Sequence, residues 1–257
     1  MSTDEQMLVD AVRSNPDVLK YLDWPVKARY YKAAPISREE LENRLARLIG
    51  KVDRAYLAEL EANGGRVSYD FWAKYEADLR AEISTPLRGY IEQSFVNSSD
   101  YANFIDTNGA VDDINTAMTQ AISRTAQGVA QNTRAQLEAL LQSGLTEREV
   151  VESIALRFSS GHAAQVAITE LTRAEAQFSE ALSSGLEGQG VATQIRLTTS
   201  VDERVCPICG PADHKLKDQP ITTATGGWNG QTWGARFGGP PFHPNCRCQT
   251  NVELRRG

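Results

Sequence analysis

Apolar residues recur every three or four positions over most of the chain, which is the spacing of a buried stripe along an α-helix. The first long stripe follows a capping box, Ser37 with Glu40 three residues later, and stops before Gly64. Its members are Leu41, Leu45, Leu48, Val52, Tyr56 and Leu60. The pattern predicts one long helix between the capping box and Gly64.

Two further stripes predict long helices. One opens at Ser68, and its apolar face consists of Trp72, Tyr75, Leu79, Ile83, Leu87, Tyr90 and Ile91. Because only a short, glycine-containing link separates it from the first helix, we expect these two helices to pack antiparallel. At helical spacing, its aromatic residues indicate core rather than a docking surface. The next stripe extends from about residue 111 to 142, where Gly144 can end the helix.

A second capping box, Thr146 with Glu149, predicts that the chain starts a new, short helix there. A longer helix then extends to about residue 184, and on it Glu170 and Arg173 lie three residues apart, where they can form a structural ion pair. After a turn predicted at 185–190, residues 191–198 alternate between apolar and polar types, which indicates a half-buried strand.

These elements predict a mainly α fold. Long antiparallel helices form an N-terminal region over residues 1–143. A small C-terminal α+β module, stabilised by zinc in the interpretation developed next, follows over residues 144–257.

The candidate chemistry is concentrated near the end of the chain. All four cysteines lie there, together with His214 and His243, two of the three histidines. Cys-Pro-x-Cys and His-Pro-x-Cys-x-Cys clusters separated by a loop are typical of tetrahedral zinc sites. The candidate ligands are Cys206, Cys209, His243, Cys246 and Cys248, five donors for four positions. The alternative is a pair of disulfide bonds, or reduced thiols in a small core, although disulfides need an oxidising compartment.

Residues around the cysteines add two expectations. Arg247 lies between two potential thiolates and can offset their charge or face a carboxylate. The glycine-rich loop at 222–239 carries Trp228, Trp233 and Phe237, which we expect to cover the metal site or a small sheet.

Composition and missing motifs narrow the function. The net charge is −6 over 257 residues, and the first two hundred residues carry −8, so an acidic body argues against a broad nucleic-acid surface. The chain contains neither a GxxxxGK[ST] phosphate loop nor a GxSxG nucleophile elbow. Asp202 and Glu203 lie near the Cys pair, but Cys/His-rich ligand sets usually close the coordination shell. We therefore expect that the protein is not an enzyme.

Targeting signals are also missing from the sequence. The acidic N-terminus MSTDEQMLVD does not resemble a secretory signal, and no apolar run is long enough to span a membrane. We expect a protein that is made and kept in a cytoplasm and has no membrane partner.

The Cys-rich motifs also carry a resemblance. DERVCPICG and PPFHPNCRC, preceded by GLTEREVVESIALRF and AITELTRAEAQFSEA, are similar in order and content to the phage head-morphogenesis minor capsid proteins of the Mu F-like family. The resemblance covers roughly residues 144–254, a little over two fifths of the chain. It departs from the family pattern at 212–214, where Ala-Asp-His replaces a hydrophobic-acidic-glycine turn, so no role is carried over to His214.

The resemblance implies a function that the residues alone do not. Such proteins act in procapsid and head assembly in the host cytoplasm as low-copy partners of the portal and of other head or scaffold proteins, and some are carried in the virion. The first alternative is a zinc-dependent nucleic-acid-binding module, with DNA as the partner, because the segment from Val201 onward carries a net charge of +2. The second alternative is a metal-dependent nuclease.

Overall fold

A computed structural model describes residues 3–14, 35–64, 66–97, 108–157, 160–199, 206–221 and 228–255. Its helices are α1 (Thr3–Ser14), α2 (Arg38–Ala62), α3 (Phe71–Asn97), α4 (Asn108–Gln142), α5 (Glu147–Arg157), α6 (Ser160–Gly188) and α7 (Trp233–Phe237). The strands are β1 (Thr193–Thr198) and β2 (Gln249–Leu254). The predicted fold class, mainly α with a small C-terminal α+β module, is confirmed.

Helix α2 begins where the capping box predicts. The Ser37 side chain accepts a hydrogen bond from the Glu40 amide at 3.1 Å, which satisfies one of the free donors of the first turn. One expected member of the buried stripe was wrong, because Ile49 is buried and Leu48 only half-buried. A step of four residues from Leu45 keeps the next side chain on the core face, whereas a step of three brings it to the edge.

Helix α3 packs antiparallel to α2, as predicted. Asp53 accepts a hydrogen bond from Tyr75 at 2.6 Å, and near the other end of the pair Gln93 bonds the backbone of Ile36. The helix begins at Phe71 rather than at Ser68, and Phe71 is fully buried. Its ring lies edge-on to Tyr56 with centroids 5.1 Å apart, so this part of the aromatic stripe is core.

Four long helices form a bundle in which each packs against two neighbours. Helix α2 contacts α3, α3 contacts α4, α4 contacts α6, and α6 closes the ring against α2. One apolar cluster joins all four, with members from Leu41 to Leu186. The division at residue 143 stays a prediction, and the bundle that it would divide draws its fourth helix from beyond that position.

Helix α6 is longer than predicted. The turn expected from Gly185 was wrong at its start, because the helix continues to Gly188 and the chain turns at Gly190, where φ is +81°. Leu182 and Leu186 are both buried, and their packing outweighs the roughly 1 kcal/mol that one glycine costs inside a helix. The left-handed conformation at Gly190 then ends the element.

The predicted strand forms as β1, which pairs antiparallel with β2 so that Ile195 faces Val252. The segment after the first Cys pair adds to the other edge of β1, since the Leu197 amide donates to Lys215 at 3.0 Å. The sheet lies on α6, where Ser179 donates a side-chain hydrogen bond to the carbonyl of Thr250 at 3.0 Å. Among the helices described, none is long and apolar enough to cross a membrane.

Candidate metal centre

The first Cys pair lies in a tight turn. The amides of Cys209 and Gly210 both donate to the carbonyl of Cys206, at 3.1 and 3.0 Å. The Cys209 amide also donates to the Cys206 sulfur, 3.3 Å away. A short 3-10 helix, Gly210–Ala212, follows and fixes the second cysteine against the core.

A second turn presents the other three donors. The Cys246 amide donates to the carbonyl of His243 at 3.2 Å, and Asn245 adopts the left-handed conformation with φ of +62°, which asparagine tolerates better than most residues. This bend places His243, Cys246 and Cys248 on the side that faces the first turn.

All five predicted donors meet in one place. The imidazole Nε2 of His243 lies 3.1 Å from the sulfur of Cys206 and 3.1 Å from that of Cys209. Among the described residues, the donor atoms of Cys206, Cys209 and His243 all lie within 4.8 Å of one another, and so do those of Cys209, Cys246 and Cys248. Cys209 belongs to both groups and is the centre of the cluster.

The histidine is oriented as a metal ligand. Its Nδ1 lies 2.7 Å from the carbonyl oxygen of Pro244, an acceptor, so Nδ1 carries the proton in that hydrogen bond. The other ring nitrogen, Nε2, then faces the two sulfurs of the first turn. Metal-binding histidines generally make this kind of hydrogen bond through the nitrogen that does not bind the metal.

The cysteines are free thiols, and none is joined in a disulfide. Cys209, Cys246 and Cys248 are buried, and hydrogen bonds from Cys209 and Cys248 lower the pKa of Cys246 to about 2. Donating to Cys246 raises the pKa of Cys209. The guanidinium of Arg247, between two of these cysteines in the sequence, binds the carboxylate of Glu42 at 3.0 Å.

The donor set fits a metal ion. A buried cluster of thiols and one imidazole suits a soft or borderline ion such as zinc, whereas magnesium and calcium prefer oxygen ligands. A divalent cation would also balance the charge that the thiolate brings into the core. The cluster can therefore hold a metal ion, with one donor more than a four-coordinate site requires.

Helix α6 supports the second turn. The Thr172 hydroxyl donates to the carbonyl of Cys246 at 2.5 Å and accepts from Nη2 of Arg38 at 2.6 Å. One turn earlier, the Thr169 hydroxyl accepts from the amide of Asn245 at 3.0 Å. Two threonines of one helix therefore set the position of the turn that carries three candidate ligands.

Helix α2 reaches the same turn through buried charges that the sequence analysis missed. Glu42 accepts from Arg247 and from Arg38, each at 3.0 Å, and Arg38 also binds Glu175 at 2.5 Å. Of the two outcomes expected for Arg247, the structure has the contact with a carboxylate. One signal pointed to Glu42, since this acidic residue lies directly beside Leu41 on the buried face of α2.

The aromatic loop packs against the cysteines, as expected. Trp228, Trp233 and Phe242 are buried in one cluster with Cys209, Cys246 and Cys248, and Phe237 lies against it partly exposed. The indole nitrogen of Trp233 donates to the carbonyl of Lys215 at 3.1 Å, which ties the cover to the edge of the sheet.

Three other candidates from the sequence lie apart from the cluster or outside the described residues. His214 is exposed, and its Nε2 lies 3.5 Å from a carboxylate oxygen of Asp213. Asp202 and Glu203, the carboxylates considered as bases, lie outside the described residues, as does the loop segment 222–227.

Comparisons with protein-family models, with curated proteins and with solved structures find no match to this chain. The resemblance to Mu F-like proteins stays a prediction from the motifs in residues 144–254.

Proposed function

We propose that this protein is a minor head protein of a tailed phage that acts in procapsid and head assembly. It binds the portal in the host cytoplasm, is packaged with the virion, and uses its Cys/His cluster to hold one structural zinc ion. The long helices provide the interaction scaffold, and the C-terminal module is a rigid knob attached to it.

One observation carries the proposal. The motifs on which the resemblance rests lie far apart in the sequence, yet they form one continuous unit in space. Thr169 and Thr172 of the ITELTRAEA segment hold the backbone of the HPNCRC segment, and His243 of the latter meets Cys206 and Cys209. Residues that make up one structural unit are expected to be recognised together as one signature.

A structural role for zinc follows from the donors and their burial. Cys209 is shared by two groups of Cys and His donors, so a bound ion can complete its shell with protein atoms and needs no open position for a substrate. Three of the four cysteines are buried, and aromatic rings cover them. When bound, zinc would join the two turns, and the thiols that bind it would release their protons to solvent.

The direct test is co-expression with the portal protein of the same phage. We expect the full chain to co-purify with the portal and to retain about one zinc per chain. A variant with Cys209→Ser should lose both properties. The matched control His214→Gln leaves Cys206, His243 and their neighbours intact, and it should retain both properties. Zinc-loaded wild type that never associates with the portal would contradict the proposal.

The same preparation separates the nucleic-acid alternative. A DNA-binding module would bind duplex DNA with an affinity that falls steeply with salt, because it releases counterions from phosphates. We expect no such binding at physiological salt from a chain with net charge −6. Tight, salt-dependent binding together with absent portal association would favour the alternative, and metal-dependent cleavage of the DNA would indicate a nuclease.

A further inference from the structure

A cavity of about 440 Å³ lies between α4, α6 and the loop that carries His243. Its wall includes Glu170 and Arg173 of α6, whose ion pair the sequence predicted as structural. The cavity belongs to the surface beside the metal cluster, and neither the zinc ion nor the portal contact proposed above requires it.

The ion pair leaves half of the guanidinium unused. Both oxygens of Glu170 bind the same nitrogen of Arg173, Nη1, at 2.6 and 2.7 Å. Nε and Nη2 make no hydrogen bond to another described residue, and the Arg173 side chain is 32% exposed against 5% for Glu170. A guanidinium presents its donors as a rigid planar fork, so the unused edge matches the two oxygens of a carboxylate.

The neighbouring helix α4 leaves room for this pair. A methyl group added at Gly128 of α4 would lie 3.0 Å from Nη1 of Arg173 and 3.6 Å from Glu170. Glycine costs about 1 kcal/mol inside a helix, and here it provides the room in which the charged pair lies against the neighbouring helix.

The remaining lining is mixed in the way that ligand sites are. Val129, Val166 and Phe242 provide apolar surface, and Thr133 and Gln165 add polar groups at the walls. Glu170 places a second carboxylate beside the arginine, so a doubly charged tetrahedral phosphate meets more repulsion than a singly charged carboxylate. Burial raises the pKa of Glu170 to about 7, against the opposing effect of Arg173, so its charge is partly relieved near neutral pH.

We propose that this cavity is a binding site for a small organic carboxylate, whose carboxylate group docks on the free edge of Arg173 and whose apolar body lies against Val166 and Phe242. The inference does not depend on the function proposed above, since it rests on the cavity, the half-used guanidinium and the space left by Gly128.

The test uses the full chain as purified and three probes, namely benzoate, its neutral analogue benzamide, and inorganic phosphate. In an NMR titration we expect benzoate to bind with a Kd on the order of 1 mM and the other two at least about tenfold more weakly. Benzamide binding as well as benzoate, or phosphate binding better, would overturn the assignment, and so would the absence of benzoate binding.

Variants locate the site and move the affinity in opposite directions. Arg173→Lys keeps the charge but loses the planar fork, and should weaken benzoate binding about tenfold. Glu170→Gln removes the competing charge in nearly the same shape, and should tighten binding several-fold at neutral pH. Equal affinity in either folded variant would refute the site.

A glycine pair controls for folding defects. Gly128→Ala should weaken benzoate binding, because the new methyl group displaces the guanidinium. Gly188→Ala is the matched control on α6, since nothing lies within 4 Å of the added methyl group, and should leave the affinity unchanged. Loss of binding in the control but not in Gly128→Ala would contradict the proposal.

Discussion

Cys209 is the residue on which the metal cluster should depend most. It is the one donor shared by the two groups, one formed with Cys206 and His243 and the other with Cys246 and Cys248. The substitution Cys209→Ser removes that shared thiolate, so the remaining donors of the two turns lose their common partner. By contrast, the five-donor set contains one spare, so at least one of Cys246→Ser and Cys248→Ser should keep a zinc ion.

The expected loss is large compared with the stability of the module. Structural zinc contributes on the order of 10 kcal/mol in small modules, whereas a whole domain is stable by only about 5–15 kcal/mol. Cys209 is also buried, at 4% exposure, so the substitution places a serine hydroxyl in the apolar cluster formed with Trp228 and Trp233. The C-terminal module should therefore unfold in Cys209→Ser, while the helical signal of the bundle falls only in part.

Tryptophan fluorescence and elemental analysis provide the assay. Trp228 and Trp233 are buried against the cysteines, at 2% and 1% exposure, so unfolding of the module should shift their emission to longer wavelength. Wild type treated with a strong chelator should acquire the same spectrum and melting curve as Cys209→Ser, and the variant should not respond to chelator. The reasoning is refuted if Cys209→Ser retains zinc, or if chelation leaves the melting curve of the wild type unchanged.

The other predictions concern the bundle. Asp53 is buried and burial raises its pKa to about 6, so the folded state holds a proton that the unfolded state releases from about pH 4. The free energy of unfolding should therefore fall by up to about 3 kcal/mol as the pH rises from 4 to above 6. Asp53→Asn should remove this slope in urea titrations, and a slope that persists would assign the effect to another group. Glu42→Gln should lower the free energy of unfolding by roughly 3 kcal/mol, because it breaks a buried network with two arginines. The control is Glu39→Gln at an exposed neighbouring position, which should change the free energy of unfolding by less than about 0.5 kcal/mol. Equal effects of the two substitutions would contradict the role of the network. Limited proteolysis should cut first within 97–108 or near Gly144. The fragments should co-elute on a sizing column because α6 remains packed in the bundle. Early cuts within α4 would contradict the domain boundary at residue 143.

Apolar spacing and capping residues predicted the helices well, because these signals depend on residues that are close together in the sequence. The caps at Ser37 and Thr146 form with the expected side-chain and backbone hydrogen bonds. The errors arose where packing outweighs propensity. Gly185 stays helical because Leu182 and Leu186 are held in the core, and no count of turn formers contains that information.

The ligands of the candidate metal centre could be predicted for a similar reason. Cysteine and histidine are rare in this chain, so their clustering is itself a signal, and the structure brings all five together. The residues that hold the cluster in place are common types at large separations. Arg247 and Glu42 lie 205 residues apart, so only the closed bundle brings them into contact. The same is true of Gly128 of α4, which lies against Arg173 of α6.

The position of α6 links the two parts of the chain. One face of this helix completes the four-helix core through Leu171 and Phe178, while Thr172, next in sequence to Leu171, holds the carbonyl of Cys246. Thr172 also accepts from Arg38, and Arg38 shares Glu42 with Arg247. A displacement of the turn at Cys246 therefore breaks a hydrogen bond to α6 and strains an ion pair to α2 at once. Since buried polar groups left without partners cost about 1–3 kcal/mol each, such a displacement costs stability at the contacts with α6 and α2 as well as at the cluster.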